Sequence, residues 1–466
     1  MSIFAPSLPA APVKVRRTLP DSNRPIVALI PILIVFYAFI LAPPETEFSL
    51  FGVRFFGYRL GVLLGTIPAL WMTIKDTRGF LNRVDMAYAV MMFWIILSFQ
   101  VVYGLEIGFV RAVGLVLDYG GSYFVARACI VTPNDLRRFL ILIMPGLLYA
   151  GLIMAAESLS GHLLLRPAAA SIFGNMTGFY NGEATGEYTL KEEFRAGLLR
   201  AFGPFDHPIL GGTIMTGFLP LYYYSGLRGW PLIGGVIAAF LGLFSLSSAA
   251  FLGVMIMLAA FAVNRALPHI PKMSWWIVIT LASLVLLVLH LVSTNGIAQV
   301  IARLTFSPES AYYRVAIWEY GTENVKNNPL FGLGYLTWER PSWMVAESVD
   351  AHFLLLAMRH GLLVPVVLLA GICLGMIRIG QVMKRIDPQN CRLLFGMNMA
   401  VIIYLIIGQT VTFHGACAVV FMSFIGFLAS LESWAEYQVQ SDRQRALLKS
   451  RAVLYARQAT IAAAAA

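Results

Sequence analysis

Long apolar runs separated by short polar segments dominate the chain. About twelve of these runs reach the length of about 20 residues that an α-helix needs to cross the hydrocarbon core of a bilayer. They cover residues 25–42, 58–74, 86–105, 108–130, 138–157, 209–225, 230–246, 248–264, 274–291, 352–376, 393–409 and 416–431. Backbone polar groups in lipid must be satisfied within their own segment, and the strict alternation of a β-barrel is absent. The pattern therefore predicts an all-α polytopic membrane protein with about 12 transmembrane helices.

Composition and charge agree with this prediction and add an orientation. Of the 466 residues, 59% are hydrophobic and 12% are charged, whereas soluble domains carry about a quarter charged residues. Lysine and arginine concentrate before the first span, in the loops that link alternate spans and in the C-terminal tail. Short loops rich in these residues stay in the cytoplasm. Both termini are therefore expected inside, with two long loops, residues 158–208 and 292–350, on the outer face.

The net charge of +10 is explained by this inside bias and by anionic lipid headgroups, so membrane lipids are expected partners and nucleic acid is not. Three regions follow from the pattern: a proline-rich cytoplasmic lead at residues 1–24, a membrane domain at 25–431, and a basic cytoplasmic tail at 432–466. We expect the tail to form a solvated helix or a helix on the membrane surface.

Several familiar signatures are absent from the sequence. It contains no Walker loop, no Rossmann glycine fingerprint, no HExxH motif and no cluster of acidic metal ligands. The four cysteines lie in or beside predicted spans without paired spacing, which does not support a zinc site or a disulfide framework. Nucleotide hydrolysis and metal-dependent hydrolysis are thus not supported, and neither a metal nor a cofactor is predicted.

The second outer loop holds a predicted helix followed by a tight turn. Ser307 is a suitable N-cap before Pro308, and the segment 327–329, Asn-Asn-Pro, is expected to end the helix. Within the helix, Arg314 and Trp318 are four residues apart and share a face.

Three arginines are candidates for binding phosphate. Arg200 and Arg314 lie in the outer loops, where a guanidinium could match the oxygens of a lipid pyrophosphate. The alternative is an ordinary surface arginine paired with a glutamate. Arg359 lies inside a predicted span, where a cation should face the bundle interior or a wet cavity.

His352 and Asp350 stand at the mouth of the same span as Arg359. A histidine can take a proton from an attacking hydroxyl and a carboxylate can orient its ring, although a structural histidine is the simpler interpretation. Asp118 lies deep in another span, and we expect it to pair with Arg359 or Arg111.

The order of these motifs resembles the O-antigen ligase and Wzy-type polymerase superfamily. The shared pattern is Arg314-x-x-x-Trp318, then Asn-Pro-Leu-Phe-Gly-x-Gly at residues 328–334, then Asp350-x-His352. Segments 338–344, 357–361 and 200–208 are similar to rhizobial-type exopolysaccharide polymerase proteins. The sequence departs from many relatives at 245–249, where it lacks the arginine of a Ser-Arg-Gly turn.

This resemblance implies glycan transfer on the periplasmic face of the bacterial inner membrane. The implied donor is a glycan on undecaprenyl pyrophosphate, and the implied acceptor is a sugar hydroxyl of a glycan or of lipid A–core. Arg200, Arg314 and Arg359 would hold the pyrophosphate, and His352 with Asp350 would deprotonate or position the acceptor. The three tryptophans expected to stack on sugar faces are Trp318, Trp338 and Trp343.

The sequence leaves several functions open. A polymerase of repeat units, working with a chain-length regulator, is the leading hypothesis, and a ligase that moves finished glycan to lipid A–core is the first alternative. A transporter is the alternative of another class, but its usual repeat symmetry and midplane polar residues are absent from the pattern.

Overall fold

The computed structural model describes residues 24–50, 53–75, 81–175, 177–180, 183–187, 190, 192–270, 275–292, 308–344 and 346–465. The predicted N-terminal lead, apart from Arg24, and the predicted N-cap Ser307 lie outside the described residues.

Helices form nearly all of the regular structure that is described. They are α1 (Ile30–Leu41), α2 (Gly57–Lys75), α3 (Arg83–Leu115), α4 (Ser122–Cys129), α5 (Pro133–Ser160), α6 (Leu165–Phe173), α7 (Pro208–Gly217), α8 (Leu219–Tyr224), α9 (Trp230–Leu241), α10 (Ser248–Ala266), α11 (Trp275–Val292), α12 (Pro308–Asn327), α13 (His352–His360), α14 (Leu363–Val382), α15 (Pro388–Ile407) and α16 (Gly415–Ala465). A π-helical turn, Val116–Gly121, joins α3 to α4.

Three short antiparallel hairpins complete the described secondary structure. They pair β1 (Phe48–Leu50) with β2 (Val53–Phe55), β3 (Thr177–Tyr180) with β4 (Glu183–Glu187), and β5 (Phe194–Arg195) with β6 (Leu198–Leu199).

Six described helical stretches are long and apolar enough to cross a membrane. They are Arg83–Cys129, Pro133–Ser160, Ser248–His269, Leu363–Arg385, Pro388–Ile407 and Gly415–Leu448, and two shorter apolar helices cover Ile26–Leu41 and Trp230–Ser245. The outward side chains of α2 and α3 are largely apolar, as a lipid-facing surface requires. The chain is therefore an all-α, multi-pass membrane protein, as the hydropathy pattern predicts.

Two glycines with positive φ interrupt the helices at or within the predicted spans. At Gly104, with φ of 76°, the α3 stretch turns sharply, which fits the predicted separation of residues 86–105 from 108–130. The predicted continuous span 352–376 is wrong, since Gly361, with φ of 84°, separates α13 from α14. A helix cannot continue through a residue in this conformation, which glycine adopts without strain.

The turn that follows α12 packs against the helix break at Gly361. The amides of Leu333 and Gly334 donate to the carbonyl oxygens of Met358 and Arg359, at 2.7 and 2.9 Å. A Cβ on Gly361 would collide with the carbonyl oxygen of Leu330. The glycines of the segment 328–334 and Gly361 thus let two backbones meet closely and fix the end of α13, which carries Arg359.

We expect Gly361→Ala to destabilise this junction by about 1–3 kcal/mol, because the substitution combines a left-handed φ with a backbone collision. The matched control is Gly380→Ala, because no neighbour lies within 4 Å of that position in α14, and alanine favours a helix by about 0.5–1 kcal/mol over glycine. Thermal unfolding of the two purified variants in the same detergent measures the difference. Equal melting temperatures would contradict the close approach.

Helix α16 runs through the core of the bundle. Phe421, Phe424 and Phe427 are fully buried, and the ring of Phe421 stacks on Tyr404 at 5.4 Å. The helix continues unbroken past Glu432, so the predicted division at residue 432 does not coincide with a helix end. Its first residue, Gly415, follows the loop 408–414, which lies at the functional site described below.

One buried carboxylate organises the first long loop, residues 158–208. The Glu157 carboxylate is fully buried and accepts from the amides of Leu164, Leu165, Phe202 and Gly203, at 2.8–3.2 Å. One acid therefore ties both ends of the loop to α5, and the return of this loop to the membrane is held in a fixed position.

Candidate active site

A cavity of about 770 Å³ lies where the two long loops, residues 158–208 and 292–350, meet the helix bundle in the described part of the chain. Its lining comes from the start of α2, the π-helical turn, the start of α7, helices α12 and α13, and the segments 347–350 and 410–415. The volume falls in the range of sites that enclose a small molecule or the head of a larger one. The cavity brings together four residues predicted from the sequence: Arg314, Asp350, His352 and Arg359.

One cation of the cavity is neutralised by a buried acid. Arg59 binds Asp118 through Nε–Oδ1 at 2.8 Å and Nη2–Oδ2 at 2.5 Å. The prediction that Asp118 pairs with Arg359 or Arg111 is therefore wrong. Helix α2 packs against the π-helical turn and carries Arg59 to Asp118, whereas Arg111 lies over the ring of Tyr103, 3.9 Å from its centroid.

Two cations of the cavity remain without such a partner. Among the described residues, neither Arg314 nor Arg359 has a carboxylate oxygen within 4 Å, although both line the cavity. The Nε of Arg314 is buried and has no hydrogen-bond partner, and Arg359 lies over the ring of Tyr335 at 4.6 Å. Burial lowers the pKa of Arg314 while Asp350 opposes this, but a guanidinium remains charged at neutral pH. The site is thus prepared for an anion.

Arg200 lies close to this cavity but does not line it. Its guanidinium pairs with Glu193 and is almost fully buried, and its amide donates to the Glu193 carbonyl oxygen at 2.8 Å. Burial lowers the pKa of His207, which does line the cavity, to about 3, and the charge of Arg200 contributes. The predicted contact of Arg200 with pyrophosphate remains a prediction.

The three tryptophans belong to the second long loop, residues 292–350, and lie outside the lining of the large cavity. The indole N–H of Trp318 donates to the Gln409 carbonyl oxygen, and that of Trp338 donates to the Glu347 carbonyl oxygen, both at 3.0 Å. Trp343 is 48% exposed. A side cavity of about 60 Å³ is lined by both Trp338 and Arg359. Stacking of a glycan on these indoles remains a prediction.

His352 is enclosed by aromatic rings and is 1% exposed. Its ring lies 4.7 Å from that of Phe413, whose amide donates to His352 Nδ1 at 3.4 Å. An amide can only donate, so a neutral ring must carry its proton on Nε2. That atom is buried without a hydrogen-bond partner among the described residues. His352 is therefore arranged as a hydrogen-bond donor.

The carboxylate of Asp350 interacts with a different histidine. Burial raises its pKa, and the nearby charges of Arg314 and His414 lower it. The side chain of His414 is solvent-accessible because it faces the cavity, and it interacts with Asp206 as well as Asp350. Sequence reasoning missed His414 and Asp206. The available signal was a histidine at the outer end of the last span, the same kind of position that identified His352.

Among the described residues, no group of three or more histidine, cysteine, aspartate or glutamate side chains is arranged to hold a metal ion.

The family model Wzy_C, O-antigen ligase, matches residues 233–369. The superfamily resemblance is thereby confirmed. The matched segment contains Arg314, Asp350, His352 and Arg359, whereas Arg59, Asp206 and His414 lie outside it. A membrane role in glycan polymerisation or ligation is supported by this match. No curated protein matches the chain.

Proposed function

We propose that this protein transfers a glycan from undecaprenyl pyrophosphate to a sugar hydroxyl at the periplasmic face of the bacterial inner membrane. The observation that carries the proposal is the pair of arginines, Arg314 and Arg359, that line the cavity and have no carboxylate of a described residue within 4 Å. A buried or half-buried cation is costly unless something neutralises it. A pyrophosphate group of the donor would supply the missing negative charge.

The transfer needs a positioned acceptor, stabilisation of the leaving group and removal of the proton from the acceptor hydroxyl. The acceptor oxygen forms a bond with the anomeric carbon of the donor sugar, and the bond from that carbon to the pyrophosphate oxygen breaks. The electron pair leaves with undecaprenyl pyrophosphate, and Arg314 and Arg359 stabilise the charge that develops there. Arg200 would support the same group from outside the cavity lining, and the Nε2–H of His352 would position an oxygen of a bound substrate.

Polymerisation of repeat units for an exopolysaccharide or O-antigen is the favoured form of this activity, with a chain-length regulator as an expected partner. The basis is the similarity of the segments 200–208, 338–344 and 357–361 to rhizobial-type exopolysaccharide polymerase proteins. Ligation of finished glycan to lipid A–core uses the same donor chemistry, and the name of the matching family favours this second candidate. In either form we propose that both termini lie in the cytoplasm, on the basis of the distribution of lysine and arginine.

Deletion of the gene tests the proposal and separates its two forms. We expect the strain to accumulate single lipid-linked repeat units without long chains if the protein is a polymerase, and long chains on undecaprenyl pyrophosphate if it is a ligase. Complementation with the wild-type gene should restore the surface glycan, which can be followed by gel electrophoresis and mass spectrometry of the lipid fraction.

Unchanged lipid-linked and surface glycans in a strain without a redundant gene would overturn glycan transfer. Transport would then be the working hypothesis, to be tested by flux in proteoliposomes.

A further inference from the structure

His414 has the surroundings that the removal of a proton from an acceptor requires. It lies in the loop 408–414, directly before α16, and its side chain faces the cavity that holds Arg314 and Arg359. This accessibility distinguishes it from His352, which also lines the cavity but is 1% exposed and packed among aromatic rings.

Two acids from distant segments interact electrostatically with His414. Asp206 belongs to the return of the first outer loop, and Asp350 directly precedes α13. A Cβ on Gly415 would overlap Oδ2 of Asp206, so this carboxylate lies against the residue that follows His414. Glycine at position 415, with φ of 54°, therefore permits the approach of the acid.

The two histidines also differ in which ring nitrogen can accept a proton. An interaction with the backbone of Thr412 raises the pKa of His414, as a carbonyl oxygen that accepts from the ring would do. With the ring proton on the nitrogen that faces Thr412, the lone pair of the other nitrogen can accept a proton. In His352 the accepting nitrogen is already used by the Phe413 amide.

We propose that His414, flanked by Asp206 and Asp350, is the general base that deprotonates the acceptor hydroxyl, while His352 only positions the substrate. The inference rests on the proposed glycan transfer and deepens it. As the acceptor oxygen bonds to the anomeric carbon, its proton moves to the free nitrogen of His414, and the leaving pyrophosphate takes the electron pair. The two carboxylates stabilise the imidazolium that forms.

Several charged groups face His414 and set its titration. Although the side chain of His414 is accessible from the cavity, the surrounding protein desolvates its ring and lowers its pKa below the ordinary 6.5, whereas Asp206 and Asp350 raise this pKa and Arg359 lowers it further. His207 and His352 also lie within electrostatic range. The uncharged form of His414, which can accept a proton, is therefore present at pH 7. It is lost as the pH falls through the pKa of His414, which lies below 6.5.

The test uses purified full-length protein in proteoliposomes, with lipid-linked repeat units extracted from the deletion strain as the probe. We expect the wild-type transfer rate to be constant above pH 6.5 and to fall at lower pH. The rate falls because His414 becomes protonated and can no longer accept the proton of the acceptor hydroxyl. His414→Gln should reduce the rate about 10²–10⁴-fold, the usual contribution of a general base, and should remove the acid-side decrease. Imidazole should partly restore His414→Ala, because the vacated space opens to the cavity.

The matched control is His162→Gln, since His162 is an exposed histidine outside the cavity and should leave the rate unchanged. Binding of undecaprenyl pyrophosphate by the His414 variants, followed by thermal shift, shows that they are folded and that the donor site is intact. A His414→Gln variant with the wild-type rate and the same acid-side decrease would overturn the inference. Glycan transfer itself would still stand if Arg314→Ala were inactive in the same assay, and would fail if the wild-type protein transferred nothing.

Discussion

Arg314→Ala and Arg359→Ala should each reduce glycan transfer by about 10²–10³-fold. This is the usual effect of removing one preorganised donor from a site where charge develops in the transition state. Both guanidinium groups line the cavity and lack a carboxylate within 4 Å in the described chain, so a bound anion has no other strong cation there except Arg59, which Asp118 neutralises. The rate of transfer from lipid-linked donor in proteoliposomes measures the effect.

The contribution of the guanidinium geometry of Arg314 can be separated from that of its positive charge. Arg314→Lys keeps the cation but loses the rigid fork of donors, and we expect it to fall between the wild type and the alanine variant. Arg265→Ala is the matched control, because Arg265 is exposed at the end of α10 and lies outside the cavity. If Arg314→Ala and Arg359→Ala both kept the rate of this control, the assignment of the pyrophosphate site would be wrong.

Four residues of the cavity could be predicted from the sequence because their positions along the chain already limit where they lie. Asp350, His352 and Arg359 are close in sequence near the start of one predicted span, and Arg314 belongs to the loop that leads into it. The hydropathy and charge pattern predicts that the two long loops lie at the same membrane face. Polar residues near the same end of a span, or in the loop next to it, have few other places to lie in the folded protein, so they can be expected to meet.

The partners of these residues could not be predicted in the same way. The pair of Arg59 and Asp118 joins positions 59 residues apart, and its choice over Arg359 or Arg111 depends on how α2 packs against the π-helical turn. The approach of Asp206 to His414 depends likewise on a glycine at position 415. Hydropathy determines which segments are helices, but it contains no information on which faces of those helices meet.

Helix breaks belong to the same class of missed features. An apolar run through residues 352–376 reads as one span, because hydropathy does not register a single glycine with positive φ. The break has a consequence for the site: Arg359 ends a short helix against the turn 328–334 and is held there by backbone hydrogen bonds to that turn. The position of this cation is therefore set by glycines that carry no chemistry of their own.

The ion pair of Arg166 with Glu45 has the largest expected effect on stability. Arg166 is 0% and Glu45 2% exposed, and the carboxylate accepts from Nε at 2.7 Å and contacts Nη2 at 2.6 Å. Arg166→Met should destabilise the protein by about 3–5 kcal/mol, because it leaves a buried acid without its partner. Thermal unfolding in detergent measures the loss.

The double variant Arg166→Met with Glu45→Gln distinguishes a loss of pairing from a loss of packing. It should recover much of the stability, since the uncompensated charge is gone, whereas removal of the exposed pair Lys326–Glu323 should change stability by less than about 1 kcal/mol.

Arg166 also donates to the carbonyl oxygen of Asp206 at 3.0 Å. The double variant should therefore fold well yet transfer glycan slowly, because the loop that carries Asp206 to His414 has lost its anchor. If the stabilised double variant transferred glycan at the wild-type rate, the position of Asp206 would not depend on Arg166.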